Sequence, residues 1–314
     1  MKTVLIDADP GTDDALAIMM ALNSPELDVR GITTVGGNAR LADTTRNALR
    51  LMEYLGVPVA TDQHGPGLPV SRGSAQPLRG RYHYGYYYHG AAGLGVRLPS
   101  PIARPAVVRA PELMVRLASA FPGEITVIAL GPLTNIARAL DLEPKIAEWV
   151  TEVVAMGGAV EVPGNITPCA EFNIYNDPLA AKIVLGSGIP IRLIGLNVTT
   201  RTYFERDEGA WVPGGSSTAR LSRRILSNWF RSRPDARQYQ LHDPLAVVAA
   251  VRPDLLTYRR ASLAVETEDA SQLGSTVATY GAGPAQVAVA VEVEGAMATV
   301  VKLLSASGSR PKQP

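Results

Sequence analysis

The sequence predicts an α/β domain built on an open, mostly parallel, Rossmann-like sheet flanked by helices. Short β-branched and aliphatic runs at 3–6, 29–35, 57–60, 125–130, 152–156 and 191–195 alternate with helical patterns. Nothing between them marks an interdomain linker or an internal repeat, so residues 1–304 read as one domain with extra β and helical embellishments. The small, polar, basic tail 305–314 is expected to be disordered. Polar residues also collect where the apolar runs stop, and open parallel sheets bind ligands outside the carboxyl ends of their strands.

Residues 3–17, TVLIDADPGTDDALA, carry the densest signal. The run 3–6 reads as a buried strand, and Asp7, Asp9, Asp13 and Asp14 follow within eight residues. Pro10 and Gly11 break the strand, and the apolar positions 15, 16, 18, 19 and 22 read as the buried face of a helix. Asp13 and Asp14 thus lie near a helix N-terminus, where the dipole favours negative charge. One of these acids could serve as a helix cap, another as an Asx-turn residue, and the rest could be solvated. Four acids this close raise one another's pKa unless a cation or shared protons compensate. Hard divalent cations take several oxygen ligands, roughly six to eight for Ca²⁺. The acids therefore point to a metal site at the carboxyl end of the first strand.

Composition narrows the function. With 46% hydrophobic and 19% charged residues in a chain of 314, the sequence suits a globule with a substantial core. A net charge of +1 gives no footprint for nucleic acid or an acidic partner. The single cysteine, Cys169, excludes an internal disulfide and fits a reducing, cytoplasmic setting. The N-terminus has no signal-peptide pattern, and the apolar run 287–301 is interrupted by Glu292 and Glu294, so no membrane association is expected. The N-x-T sequons at Asn165 and Asn197 read as coincidental in that setting.

Along the chain, 29–35 runs into Gly36, Gly37 and Asn38, and 44–55 reads as a helix. Residues 62–101 break the rhythm and contain RYHYGYYYHG at 81–90, with five tyrosines and two histidines. This cluster is either an aromatic wall for a flat ligand or a set of rings packed on the core. A helix at 111–121 starts with proline, a favoured first position. The strand 125–130 ends in GPLTN, with Thr134 as an expected N-cap. Residues 164–177 hold Asn165, Glu171, Asn173, Asn176 and Asp177, and Asp177-Pro178 opens a helix to 185. The segment 218–230 is an amphipathic helix with a basic, solvated face, and His242-Asp243-Pro244 opens another over 245–251. The remainder to 304 reads as β-rich at 261–265 and 286–294.

The constellation at the strand ends consists of acids, amides and imidazole, with no arginine cluster and no phosphate-cradling loop. Such a set suits a neutral polyol around a cation, because amides and carboxylates bond hydroxyls and a divalent ion can take two vicinal ones.

These residues also carry a resemblance. DADPGTDDA at 7–15 resembles the N-terminal signature of the nucleoside hydrolase family, the inosine-uridine preferring type. Further similarities follow in the family's order: TVGGN at 34–38, HGxxGLG at 89–95, LGPLTNIA at 130–137, MGG at 156–158, GNxTPxAEFNxxxDP at 164–178 and HDPLA at 242–246. The resemblance implies the family's fold and hydrolysis of the N-glycosidic bond of a ribonucleoside to ribose and free base, within nucleoside catabolism and salvage. It further implies a bound Ca²⁺ held by Asp9, Asp14, Asp243 and the main-chain carbonyl of Leu130. Asp13 would bind the ribose 2′-hydroxyl. Asn38, Asn165, Glu171 and Asn173 would hold the other hydroxyls, with His89 and Met156 lining the substrate site. Asp7 would orient the loop. Asp9 is the expected base for the attacking water and His242 the expected acid for the leaving base; His242 could instead only orient Asp243. Tyr239, Trp229 and Phe230 could stack on the base or merely pack. A homodimer or homotetramer is implied by the resemblance alone. A haloacid-dehalogenase-like phosphatase also places D-x-D after its first strand, but Pro10 and Gly11 depart from its continuation. A non-catalytic nucleoside- or sugar-binding protein on the same scaffold is the alternative to an enzyme.

Overall fold

Val4, Leu5 and Ile6 have no exposed surface, because the strand that contains them, β1 (Lys2–Ala8), lies in the interior of the sheet. The computed structural model describes residues 1–61, 65–90, 93–209 and 211–306. Most of the tail expected to be disordered, 307–314, and Ala91 and Ala92 of the HGxxGLG motif lie outside the described residues.

The other strands are β2 (Leu27–Thr34), β3 (Val59–Ala60), β4 (Leu68–Arg72), β5 (Ile125–Ala129), β6 (Val150–Met156), β7 (Ile191–Ile194), β8 (Tyr203–Glu205), β9 (Gln238–Gln240), β10 (Leu256–Val265), β11 (Thr276–Tyr280) and β12 (Ala285–Val291). The helices are α1 (Thr12–Asn23), α2 (Leu41–Leu55), α3 (Tyr86–His89), α4 (Ala110–Ala120), α5 (Thr134–Leu142), α6 (Ile146–Trp149), α7 (Phe172–Asn176), α8 (Pro178–Leu185), α9 (Leu196–Thr199), α10 (Ser217–Ser232), α11 (His242–Val251) and α12 (Val293–Ser305).

The main sheet has the order β11-β10-β12-β7-β6-β5-β1-β2-β4-β3. Pairing is parallel from β12 through to β3, and β10 pairs antiparallel with both β12 and β11. β8 and β9 form a separate antiparallel ribbon. Successive side chains of a strand face opposite sides, and β1 shows it. Val4, Ile6 and Ala8 join a core shared with α1, α2, α10, α11 and α12, whereas Leu5 joins the core under α4, α5, α6 and α8. Helix α1 is buried at every position but Leu22, as expected of a helix that is apolar nearly all round. No helix among the described residues is long and apolar enough to cross a membrane.

Three local expectations change. β4 falls in the stretch read as irregular; Pro69 disguised it, since proline in a strand forfeits a ladder donor. The β character expected to 294 stops at Val291, and α12 follows. Valine and threonine favour strands, but the buried set Ala296, Val300, Leu303 and Leu304 has helical spacing, and the spacing prevails. Thr134 is not an N-cap but the first residue of α5; its hydroxyl donates to Asp177 Oδ2 at 2.7 Å.

Candidate active site

The site grows from the turn between β1 and α1. Asp14, in the first turn of α1, folds back on the chain. Its Oδ1 accepts from Asp9 N (3.1 Å), and its Oδ2 accepts from Gly11 N and Asn38 Nδ2 (both 2.8 Å). This is the reciprocal half of a capping box, with glycine at the N-cap. Asp9 Oδ2 accepts from Asn38 N at 2.6 Å, so Asn38, at the end of β2, joins the two acids. A Cβ at Gly37 would overlap Asp9 Oδ2, and one at Gly131 would lie 2.7 Å from Asp9 Oδ1. The backbone can approach the carboxylate only because both residues lack that atom.

The ends of β5 and β6 supply the next layer. Asn173 Nδ2 donates to the Leu130 carbonyl (2.7 Å) and to the Met156 carbonyl (3.2 Å). Glu171 caps α7, accepting from Asn173 N (2.9 Å), Ile174 N and Gly158 N (both 3.1 Å). Beneath them, Asp7 Oδ1 accepts from Thr33 Oγ1 (2.7 Å) and Asn135 Nδ2 (2.8 Å). Burial raises the Asp7 carboxyl to about 7 against those two lowering bonds.

Carboxylate oxygens of Asp13, Asp14 and Asp243 lie within 4.8 Å of one another, all buried. Asp9 is outside that trio but close enough to raise, and be raised by, its charges. Burial is the largest cause of the raised pKa of Asp9, Asp13, Asp14 and Asp243, and mutual repulsion adds to it for Asp9, Asp13 and Asp243. Asp9 Oδ1 and Asp13 Oδ1 are buried without a hydrogen-bond partner. Hard oxygen donors, excess negative charge and free lone pairs fit a hard divalent cation. Asp13, to which the family resemblance gives the ribose 2′-hydroxyl, thus also stands in the metal-sized cluster.

Burial lowers the pKa of two of the histidines, His89 and His242. His89 Nδ1 lies 3.1 Å from both Thr12 N and Thr12 Oγ1, and burial followed by Arg233 lowers its pKa to about 3. The Thr12 N–H can only donate, so Nδ1 accepts and the ring proton sits on Nε2. His89 is 3.8 Å from Asp13, a contact with a neutral ring and not an ion pair. His242 Nδ1 lies 2.8 Å from Thr199 Oγ1, and burial lowers its pKa to about 4. Burial thus favours the uncharged form of the His242 ring.

The opposite flank is aromatic. Tyr82 is buried and donates to Thr134 Oγ1 at 2.8 Å, whereas Tyr87 is 93% exposed. Tyr88 meets both His89 (4.9 Å between centroids) and Trp229 (5.3 Å). Phe230 and Tyr239 are both buried and both meet Trp229 edge-to-face. The tyrosine cluster thus divides between core packing and surface.

Asp9, Asp13, Asp14, Asn38, His89, Leu130, Met156, Glu171 and Asn173 lie at or follow the carboxyl ends of parallel strands, directly or on the next helix, whereas His242 and Asp243 open α11 after the antiparallel ribbon strand β9. Asn165 is exposed, and its Oδ1 accepts from Phe172 N (2.9 Å). Thr12 and Thr199, which fix the two imidazoles, had no sequence signal beyond their neighbours. Arg233, which reaches the His89 loop, had none.

A family model for inosine-uridine preferring nucleoside hydrolase matches residues 4–299. The chain belongs to the nucleoside hydrolase family. This nucleoside hydrolase is 38% identical over 316 residues to uridine nucleosidase 1 of Arabidopsis thaliana, covering 94% of the chain and 91% of the relative. It is 37% identical to the pyrimidine-specific ribonucleoside hydrolase RihA of Citrobacter koseri, with 88% of each chain covered. Among solved structures it superposes on a plant nucleoside hydrolase with TM-score 0.88 and 36% identity, covering 97% of this chain and 99% of the other. A purine-preferring ribonucleoside hydrolase from Gardnerella vaginalis gives TM-score 0.88 at 30% identity, with 97% and 98% covered. The nucleoside hydrolase is an enzyme, an N-glycosidase that hydrolyses the bond between ribose and base.

Proposed function

We propose that this enzyme is a Ca²⁺-dependent ribonucleoside hydrolase that prefers pyrimidine ribonucleosides, with uridine first. The buried acid cluster around the β1–α1 turn carries the reading: it has unpartnered oxygens and, among the described residues, no lysine or arginine paired with it, so a hard cation completes it. Asp9, Asp14, Asp243 and the Leu130 carbonyl would hold the ion, with Asp13 reaching both it and the ribose 2′-hydroxyl. When bound, Ca²⁺ lowers the pKa of a water and organises vicinal hydroxyls.

The chain's own groups do the rest. Asp9 Oδ1 faces away from its backbone bond and takes the proton of the attacking water. Asp13, Glu171 and the amides of Asn38, Asn165 and Asn173 bind ribose hydroxyls. Cleavage of the C1′–N bond builds positive charge on the ribose ring, and the surrounding carboxylates stabilise it where it develops. The departing base takes electron density onto its nitrogen or carbonyl oxygens, and the neutral N–H groups of His89 and His242 donate to it. The base preference rests on the relatives named for uridine and pyrimidine ribonucleosides. The single cysteine supports a cytoplasmic role in salvage. The exposed Ile102 and Val107 (92% and 87%) support self-association as a homodimer or homotetramer.

The test is ribose release from uridine, cytidine, inosine, adenosine and guanosine, before and after chelation and with Ca²⁺ or Mg²⁺ added back. Uridine cleaved best, with activity lost on chelation and restored by Ca²⁺, is the expected result. Inosine or guanosine cleaved best overturns the base preference, and activity indifferent to chelation overturns the metal.

A further inference from the structure

Arg233, the residue after α10, reaches across to the loop that carries His89. Its Nη2 donates to the carbonyls of Tyr87 and of Tyr88, the latter at 2.6 Å. Its guanidinium lies over the rings of Trp229 (4.8 Å), Tyr88 (5.1 Å) and Tyr87 (5.7 Å). Arg233 is itself fixed from behind. Arg206 donates to the Phe230, Arg233 and Ala236 carbonyls and lies 4.9 Å over the Phe230 ring. The turn after α10 is thus braced on one side and reaches the loop on the other.

The loop's other anchors include Thr12, which meets the His89 ring, and Arg40 N, which donates to the Tyr86 hydroxyl at 3.1 Å; Arg233 is the one that takes the carbonyls of Tyr87 and Tyr88. α3 has four residues, and Gly90, which follows it, has positive φ. The rings that flank His89 do not hold it down: Tyr87 is almost fully exposed, and Tyr88 is held by Trp229 and Arg233. Nη2 alone takes both carbonyls, and the rest of the planar guanidinium stacks on three rings, a contact that a compact lysine ammonium cannot reproduce.

We infer that Arg233 is a positioning residue: it latches the loop 85–90 to the end of α10 and so, with the Thr12 contacts to the ring, holds the Nε2–H of His89 toward the departing base. The inference rests on the proposed substrate-facing role of His89. With the latch intact the loop is preorganised, and nucleoside binding does not have to order it. Without it, only the fraction of molecules with the loop in place binds productively, and the apparent KM rises by the inverse of that fraction.

The experiment compares the wild type, R233A, R233K, H89A and the double variant R233A/H89A, each with two readouts. In limited chymotrypsin digestion, the tyrosine-rich segment 84–88 is cut at least tenfold faster in R233A than in wild type, since losing even one charge-assisted hydrogen bond is worth about that factor. R233K lies nearer to R233A than to wild type. In uridine hydrolysis, KM rises about tenfold in R233A with kcat changed less, while the melting temperature holds. In the H89A background, R233A adds little, because the latch acts through a residue already removed. Unchanged digestion in R233A overturns the latch whether or not uridine is the substrate. Fully additive losses overturn its action through His89. A wild type that resists chymotrypsin in 84–88 but cleaves no nucleoside leaves the latch standing and overturns the substrate reading alone.

Discussion

Asp14 and Arg233 do similar work on two flanks of the site by opposite means. The Asp14 carboxylate gathers backbone and amide N–H groups, from Asp9, Gly11 and Asn38, and so closes the β1–α1 turn. The Arg233 guanidinium gathers backbone carbonyls, from Tyr87 and Tyr88, and so closes the aromatic loop. The first flank is built on strand ends inside a parallel sheet and is buried throughout. The second is a short loop on the end of a helix, half of it at the surface. In the proposed function the acid flank faces the ribose common to all ribonucleosides, where rigidity costs nothing. The aromatic flank would then face the base, the part that varies, and a few long side chains hold it.

The largest effect should come from the acid flank. D9N keeps the size of the side chain and its bond from Asn38, yet removes the proton acceptor; uridine kcat should fall by about a thousandfold with KM nearly unchanged, within the range for a lost general base. A tenfold loss or less in steady-state assays would place the base elsewhere.

Next is N173A, which removes the bridge between Leu130 and Met156. It leaves two buried carbonyls short of a donor, and the protein should lose about 2 kcal/mol in urea unfolding. Ca²⁺ affinity should fall with it, measured by titration calorimetry, because the Leu130 carbonyl loses its orientation.

Metal removal should expose the charge stored in the cluster. Asp7, Asp9, Asp13, Asp14 and Asp243 all have folded-state pKa values raised above the ordinary carboxylate value of 3.8. The metal-free fold therefore binds protons more tightly than the unfolded chain. That contribution is full below 3.8 and is lost as pH rises through the folded-state values, about 7 for Asp7. The melting temperature of the chelated protein should fall from pH 5 to pH 8, and saturating Ca²⁺ should flatten the slope. D7N should flatten part of it without metal. An equal slope in all three would show that the carboxylates are not the titrating groups.

The smallest effect belongs to the aromatic flank's outer rim. Arg79 and Glu268 pair at 3.1 Å with both side chains mostly exposed, and R79A should leave melting temperature and kcat/KM within error.

The acid flank was legible in the sequence because its chemistry is local. Asp9, Asp13 and Asp14 sit in one turn, and the β-branched run before them announces a parallel strand. Asn38, Leu130, Asn173 and Asp243 could be placed because each follows a recognisable strand or opens a helix. The other flank was not legible for a physical reason. Arg233 acts on residues 145 and 146 positions earlier, through backbone carbonyls that every residue possesses. Nothing in the types of residues 87 and 88 announces such a partner. β4 was hidden by Pro69 and α12 by its valines, where local propensity and tertiary packing disagree. The lowered pKa of His242 was not legible either, because its cause is burial, which a helix-opening motif does not reveal.

At the far end of α1 from the carboxylates, Asn23 Nδ2 donates to the carbonyls of Leu303 (2.8 Å) and Ala306 (3.3 Å) and to Thr218 Oγ1 (3.2 Å). A twelve-residue helix is about 18 Å long, so the end of α12 is anchored roughly that far behind the acids. An enzyme immobilised through a tether at residue 306 would hold its catalytic mouth outward, toward the flowing substrate. The same attachment made through the exposed Tyr87 loop would turn that mouth against the support.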